Sequence, residues 1–368
     1  MEKIINSVCN VVIDSSYQYF NEAVYYFNED VNKKSNICDV YDKVLIITDE
    51  NLYIHQMDKL IKSINAKYIY EYVIKPGEES KSLNIYEEIM NYCAKINLTR
   101  KSVVIALGGG VVGDLAGFIA STYMRGIDVI QVPTSLLAQV DSSIGGKTGI
   151  NLGNIKNVIG SFYQPKFTYI NTTALKTLSQ DEFISGMAEV IKYAVIYDYE
   201  FLDYLIENSE AILNRDKEIL YNVVKKCVSI KVYVVGADEK EGGLRKILNF
   251  GHTFGHGVEK LCKISHGDAV SIGMNMAFKL ALSEKLIKKD YYDKFIMLSK
   301  AYNLPLTYEL PLHEVFLAED VLEIMKSDKK NSFGKINLIL PVDLGKVEVV
   351  NNIEEDKILD IIRECHNA

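Results

Sequence analysis

The chain has 368 residues, 48% hydrophobic and 24% charged, with a formal net charge of −8. That is the profile of a globular protein, and the length suggests two domains, because one core stops growing at roughly 250–300 residues. The acidic balance argues against nucleic acid or an anionic membrane as a partner, so an anionic small ligand would need locally concentrated Lys and Arg.

The opening stretch MEKIINSVCNVVIDSS lacks the basic start and apolar run of a secretory signal. Cys9, Cys38, Cys93, Cys227, Cys262 and Cys365 include no C-x-x-C pair, so reduced thiols in a cytoplasmic protein are expected. The apolar run from Val103 to Ala120 is interrupted by glycines and Asp114, which excludes a membrane span there.

In chain order, the short apolar or β-branched segments Val44–Thr48, Tyr68–Ile74, Val103–Leu107 and Asp128–Val132 read as strands, with a helical pattern at Leu83–Ile96 between them. Continuous apolar strands separated by helices predict a mainly parallel, Rossmann-like sheet covered on both faces. From about Asp181 the pattern turns helical: Asp181–Tyr197, Lys217–Val235, Asn249–Leu261, Ala269–Glu284 and Asp290–Tyr302. Ile336–Leu340 and Val347–Val350 can pair as a late hairpin around Gly345. The expected organisation is an α/β domain at 1–175 and a mainly α-helical domain at 176–368. A cleft between two such domains is a usual place for a ligand.

VVIALGGGVVGDLAGF (Val103–Phe118) places Gly108, Gly110 and Gly113 in a G-x-G-x-x-G pattern between a strand and a helix. Backbone N–H groups at that helix start suit a pyrophosphate. The acidic residue expected at the end of the next strand is missing, since Asp128 stands at its beginning, so the standard dinucleotide pattern is not met. A plain tight turn with Asp114 as a cap is the competing reading. PTSLLAQVDSSIGGKTGINLGNIKN (Pro133–Asn157) adds Thr134, Ser135, Asp141, Lys147, Lys156 and Asn157 in a segment of glycines and small hydroxyls, suited to wrapping phosphate or polyol oxygens. Gly146-Lys147-Thr148 ends like a P-loop, but Asp141 occupies the position of its first glycine, which excludes ATP binding by that route.

Three of the six histidines, His252, His256 and His266, fall within NFGHTFGHGVEKLCKISHGDAVSIGM. His252 and His256 are four apart and share a helix face, a spacing suited to two ligands of one metal. Glu189 in ISGMAEVIKY is the best further ligand, and a Glu with two His and one open position is the pattern of a catalytic zinc. If Arg245–His256 is one helix, Arg245, Asn249, His252 and His256 form one polar stripe, with Lys231 and Glu241 just upstream.

Taken together, ALGGGVVGDLAGFIASTYMRG, QVPTSLLAQVDSSIGGKTGIN, GMAEVIKY, ADEKEGGLRKILNFGHTFGH and HGDAVSIGM resemble the 3-dehydroquinate synthase family of sugar phosphate cyclases, over nearly the whole chain. The resemblance implies NAD and one divalent metal, zinc or else cobalt, a small-molecule sugar phosphate substrate, and a homodimer. It implies conversion of 3-deoxy-D-arabino-heptulosonate 7-phosphate to 3-dehydroquinate and phosphate, through transient oxidation, phosphate β-elimination, re-reduction and intramolecular aldol closure. By the same resemblance the metal ligands are Glu189, His252 and His266, and His256 is catalytic rather than a ligand. Asp49, Asn51, Glu78, Lys81, Gly109, Gly110, Val111, Asp114, Thr134, Ser135, Lys147, Lys156 and Thr177 match NAD positions. Arg125, Asp141, Lys147, Asn157, Lys192, Lys231, Arg245 and Asn249 match substrate positions, with Glu241 a second acid or base and one lysine of Lys329 and Lys330 another contact. The chain departs from the pattern at Ile155, where glycine is common, and at Tyr163, where histidine is common. Another cyclase, such as one resembling 2-deoxy-scyllo-inosose synthase, and a metal-dependent polyol dehydrogenase are the competing activities, with a non-catalytic regulator the competing class.

Overall fold

The computed structural model describes residues 1–28, 37–153, 155–310, 318–327 and 336–366; Lys329 and Lys330 lie outside them. Contacts divide the chain into two units, Met1–Ser179 with Leu220–Lys240, and Gln180–Ile219 with Glu241–Ala368. The helix Lys217–Ala237 therefore belongs largely to the first unit, although it lies in the helical half of the sequence. Asn6 holds it there by donating Nδ2 to the Val232 carbonyl.

The first unit is built on strands β1 (Glu2–Ile5), β2 (Asn10–Asp14), β3 (Val44–Asp49), β4 (Ile69–Ile74), β5 (Val103–Gly108), β6 (Asp128–Pro133) and β9 (Phe167–Asn171), with a separate hairpin of β7 (Lys147–Leu152) and β8 (Ile155–Phe162). The seven-stranded sheet runs β1-β2-β9-β6-β5-β3-β4. Only the β1–β2 pair is antiparallel. Side chains of a strand alternate between faces, and β5 shows why its run is apolar throughout. Val103, Ile105 and Leu107 join a cluster with Phe20, Phe167 and Tyr169. Val104 and Ala106 join the opposite cluster, with Leu115 and Ile119 of the helix Gly110–Thr122. Each fully buried aliphatic side chain contributes about 1.5–3 kcal/mol, so a polar residue on either face would be costly.

The four expected strands are present within a residue of their predicted limits. β1, β2 and β9 were not anticipated, and neither was the β7–β8 hairpin. The segment read as a phosphate-wrapping coil instead contributes core: Ile150 is fully buried, and Gly149 and Gly160 face each other across the hairpin.

The second unit centres on the helices Gln180–Tyr197 and His266–Ser283, both buried on most of their surface. Gly267 lets them meet closely, since a Cβ there would lie 2.2 Å from the Ser185 carbonyl oxygen. That contact brings His266, one residue earlier, toward Glu189, one helical turn after Ser185. The helices Lys289–Ala301 and Glu355–Glu364 complete the layer, with Phe278 stacked on Phe295 at 4.4 Å. The late hairpin forms as expected, from β10 (Leu338–Asp343) and β11 (Lys346–Val350) with Gly345 at φ 68°. No helix among the described residues is long and apolar enough to cross a membrane.

Candidate functional site

Parallel strands bring their carboxyl ends to one edge of a sheet, the usual place for a ligand in such folds. In the first unit nearly all the nucleotide candidates follow such ends: Asp49 and Asn51 after β3, Glu78 and Lys81 after β4, Gly109 to Asp114 after β5, Thr134 and Ser135 after β6, and Thr177 after β9. β3 pairs with β5 as far as Thr48 and Leu107, so Asp49 sits beside the glycine loop. An acidic neighbour for the loop was sought on the strand after it and is supplied by the strand before it. Asp49 Oδ1 caps the following turn by accepting from Asn51 and Leu52 N–H at 3.0 Å each. Burial raises its carboxyl above the ordinary value despite those bonds.

The loop glycines have separate reasons. A Cβ at Gly108 would strike Val112 and one at Gly113 would lie 2.9 Å from Gln131 Oε1, so these serve packing. At Gly109 and Gly110 a Cβ would meet only the Ser135 and Ser142 hydroxyls, at 3.4 and 3.2 Å. The backbone at the helix start thus faces hydroxyl groups and fits an oxyanion-bearing ligand.

Lys81 organises this edge. Its Nζ lies 2.7 Å from Asp114 Oδ2 and 3.7 Å from Glu78 Oε1, and it donates to Asn157 Oδ1. Burial pushes the Asp114 carboxyl up, and Lys81 opposes that shift. Asn151, absent from the sequence-derived set, joins the group by donating to Glu78 Oε1 at 2.9 Å and accepting from the Asn157 N–H at 2.8 Å. In the same unit, Lys231 Nζ pairs with Asp141 Oδ1 at 2.8 Å. Thr177 Oγ1 accepts from Gln56 at 2.9 Å. Lys147 and Lys156 project from the hairpin as exposed side chains. Arg125 is exposed in a left-handed turn at φ 68°. Tyr163 secures that turn by donating to the Ile127 carbonyl at 3.0 Å; the other departure from the family pattern, Ile155, is exposed.

In the second unit, three helices converge on a carboxylate. Glu189 comes from the middle of Gln180–Tyr197, His252 opens the helix His252–Cys262, and His266 opens His266–Ser283. His252 Nε2 and His266 Nε2 each lie 3.4 Å from Glu189 Oε1, and one ligand atom from each of the three falls within 4.8 Å of the others. One carboxylate and two imidazoles at that separation suit a divalent cation with an open position. Both rings are turned with Nε2 inward: His252 Nδ1 donates to the Phe250 carbonyl at 3.1 Å, and His266 Nδ1 bonds Glu259 Oε2 at 3.3 Å. Lys192 ion-pairs with Glu189 Oε2. Burial holds His252 well below its ordinary value, overriding Glu189. Burial also works against charge on His266, but Glu189 and Glu259 outweigh it and raise that group to about 10.

His256 does not join the triad, although it shares a helix with His252 and its ring centre is 5.6 Å away. The expectation of one helix from Arg245 to His256 is also corrected. Leu244–Asn249 is a tight 3-10 turn, and the chain breaks at Gly251, whose φ is 78°, before the α-helix begins. A side chain at Gly251 would lie 2.9 Å from the Val270 carbonyl oxygen. Arg245 is nearly fully buried in that turn, and Asn249 donates Nδ2 to Glu241 Oε1. Glu259 was missed in the sequence, yet it continues the His252 and His256 face at the i+7 position, a signal that could have found it.

A 3-dehydroquinate synthase N-terminal family model matches residues 71–185 and a 3-dehydroquinate synthase C-terminal model matches residues 186–331. The 3-dehydroquinate synthase of Alkaliphilus metalliredigens is 46% identical over 312 residues, 84% of this chain and 86% of that protein. That of Caldanaerobacter subterraneus is 47% identical over 320 residues, 85% and 88% of the two. Among solved structures, the 2-epi-5-epi-valiolone synthase of Streptomyces hygroscopicus, with NAD+ and Zn2+ bound, superposes with a TM-score of 0.84 at 23% identity, over 99% of this chain and 98% of that one. A 2-deoxy-scyllo-inosose synthase complexed with carbaglucose-6-phosphate, NAD+ and Co2+ gives 0.83 at 23% identity, over 99% of both. At that identity these two share the fold.

Proposed function

The chain belongs to the 3-dehydroquinate synthase family, and from that premise we propose that it converts 3-deoxy-D-arabino-heptulosonate 7-phosphate to 3-dehydroquinate and phosphate, with NAD and a divalent metal. The observation that carries this reading is the convergence of Glu189, His252 and His266 on one point of the second unit. When bound, NAD takes up and returns a hydride within one turnover, and the metal lends Lewis acidity to a substrate hydroxyl.

The chain's own residues divide the remaining work. Backbone N–H groups at Gly110 and Val111 receive the pyrophosphate, and Asp49 accepts from a ribose hydroxyl. Asn51, Glu78, Thr134, Ser135, Lys156 and Thr177 line the nucleotide. Lys81 pairs with the Asp114 carboxylate at the same sheet edge and opposes the upward push of burial on it. Glu189, His252 and His266 hold the metal. Lys147, Lys192, Asn157 and Arg245 supply cationic and amide donors for phosphate and carboxylate, with Arg125, Lys231 and Asn249 as further contacts. Asp141 keeps the Lys231 ammonium in place. His256 takes and returns a proton as a general acid and base, and Glu241 is the second acid or base. In the same reading the enzyme is a cytoplasmic homodimer of the shikimate pathway in aromatic amino acid biosynthesis, which accords with its cysteines forming no disulfide.

The test is phosphate release from the heptulosonate with NAD and zinc present, while NADH absorbance is followed in the same cuvette. Phosphate release that needs both cofactors, with no net NADH, is the expected result. Release only from another sugar phosphate would assign a different cyclase. Net NADH would assign a dehydrogenase.

A further inference from the structure

We propose that Glu259 is a positioning residue of the metal centre, orienting His266 and adding a second negative charge beside it; this rests on the reading of Glu189, His252 and His266 as the ligand set. The two imidazoles are steered by different means. His252 is mostly buried, and its Nδ1–H donates to a backbone carbonyl two residues earlier, an acceptor fixed by the chain itself. His266 has no such support. It is the first residue of its helix, follows a left-handed turn at Lys263, and its side chain is 34% exposed. Left alone, an imidazole there would sample several rotamers, and ordering it on metal binding would cost entropy. Glu259 removes that freedom. It stands on the helix that carries His252, seven residues on and so on the same face. Its less exposed carboxylate places Oε2 3.3 Å from His266 Nδ1. With Nδ1 engaged, Nε2 is the atom left to face Glu189 Oε1.

The charge matters as well as the hydrogen bond. Glu189 already has the Lys192 ammonium against it, which weakens its field at the site. A second carboxylate, against His266 Nδ1, makes that imidazole a stronger donor to a divalent cation. A mere ion pair between Glu259 and His266 would contribute little to stability and nothing to metal affinity, so affinity separates the two roles.

The 368-residue chain and its Glu259→Gln and Glu259→Ala variants are freed of metal, and their thermal transitions are compared. Each is then titrated with cobalt(II) against a competing chelator near neutral pH, with cobalt absorbance as the readout. Glu259→Ala is expected to weaken cobalt binding about 10–100-fold, with its metal-free transition close to that of the parent chain. Glu259→Gln keeps an acceptor and loses the charge, so its affinity is expected between the two. Parental affinity in both variants overturns the role of Glu259 while leaving the ligand set standing. Failure of the parent chain to bind cobalt overturns the ligand set and this inference with it.

Discussion

Lys81 Nζ lies 2.7 Å from Asp114 Oδ2 with Lys81 only 3% exposed, so a nearly buried ammonium stands against a carboxylate at the carboxyl edge of the sheet. Removing it leaves a carboxylate that burial already disfavours. Lys81→Met is expected to destabilise the protein by about 1–3 kcal/mol and to weaken NAD binding. Adding Asp114→Asn removes the orphaned charge and should recover part of the stability but none of the NAD affinity. Urea midpoints and NAD titration of the two variants check both halves. An additive double mutant would mean that the pair is not coupled.

The same edge shows what the sequence could reveal. β3 and β5 were legible because both faces of a parallel strand are buried, which writes an uninterrupted apolar run such as VLIIT or VVIAL. β1 and β8 were not, because they lie at the margin of the sheet or in a hairpin and mix exposed with half-buried residues. The site was legible where chemistry is local and hidden where it is not. Spacing paired His252 with His256, since a helix face is visible in a sequence. The groups that the structure gathers with His252, Glu189 and His266, are brought in by close helix packing at Gly267, which no local spacing encodes. Only the resemblance of several motifs together named that triad. Asp49 shows the same limit: its place beside the glycine loop follows from the strand order, with β3 next to β5.

Gly251 is a point where backbone geometry bears on the candidate metal site. Its φ of 78° separates the Leu244–Asn249 turn from the helix that starts at His252, and a Cβ would come within 2.6 Å of Met274 Cγ and 2.9 Å of the Val270 carbonyl. Left-handed strain and the backbone clash add, so Gly251→Ala should cost about 2–5 kcal/mol. The shift falls on the residue before His252, so metal affinity should drop in the same variant. Thermal unfolding with and without zinc checks this. A variant with parental stability would show that the helix start can move freely.

Asp42 gives a pH prediction away from the chemistry. It accepts from Thr99 Oγ1 at 2.6 Å and Ser102 Oγ at 2.7 Å, holding the turn that feeds β5 and its glycine loop. Burial works against its charge, but these hydrogen bonds outweigh it and lower the carboxyl below its ordinary value. A depressed folded value means that the unfolded chain binds the proton more readily. The contribution is therefore complete above the unfolded value of about 3.9 and fades as pH falls through the folded one. Because Asp42 is exposed, its contribution is about 1 kcal/mol at most. Asp42→Asn should be less stable than the parent at neutral pH, with the gap closing below about pH 4. A gap that widened on acidification would reverse the assigned shift.

The last prediction separates holding the metal from moving a proton. Glu189 is the carboxylate on which both inward-facing imidazoles converge, whereas His256 stands outside the triad with its ring centre 5.6 Å from that of His252. Glu189→Ala removes a ligand from a three-residue set, so zinc should be lost on dialysis and phosphate release should fall with it. His256→Ala leaves the set intact, and zinc content and NAD affinity should stay near parental. Turnover should nevertheless drop by about 10²–10⁴-fold, the usual contribution of a positioned acid or base. Zinc analysis, NAD titration and phosphate release on the two purified variants give a two-way contrast. Full zinc occupancy in Glu189→Ala would refute the ligand assignment, and normal turnover in His256→Ala would remove that histidine from the mechanism. Should both variants lose zinc, His256 would belong with the metal ligands, as its spacing from His252 first suggested.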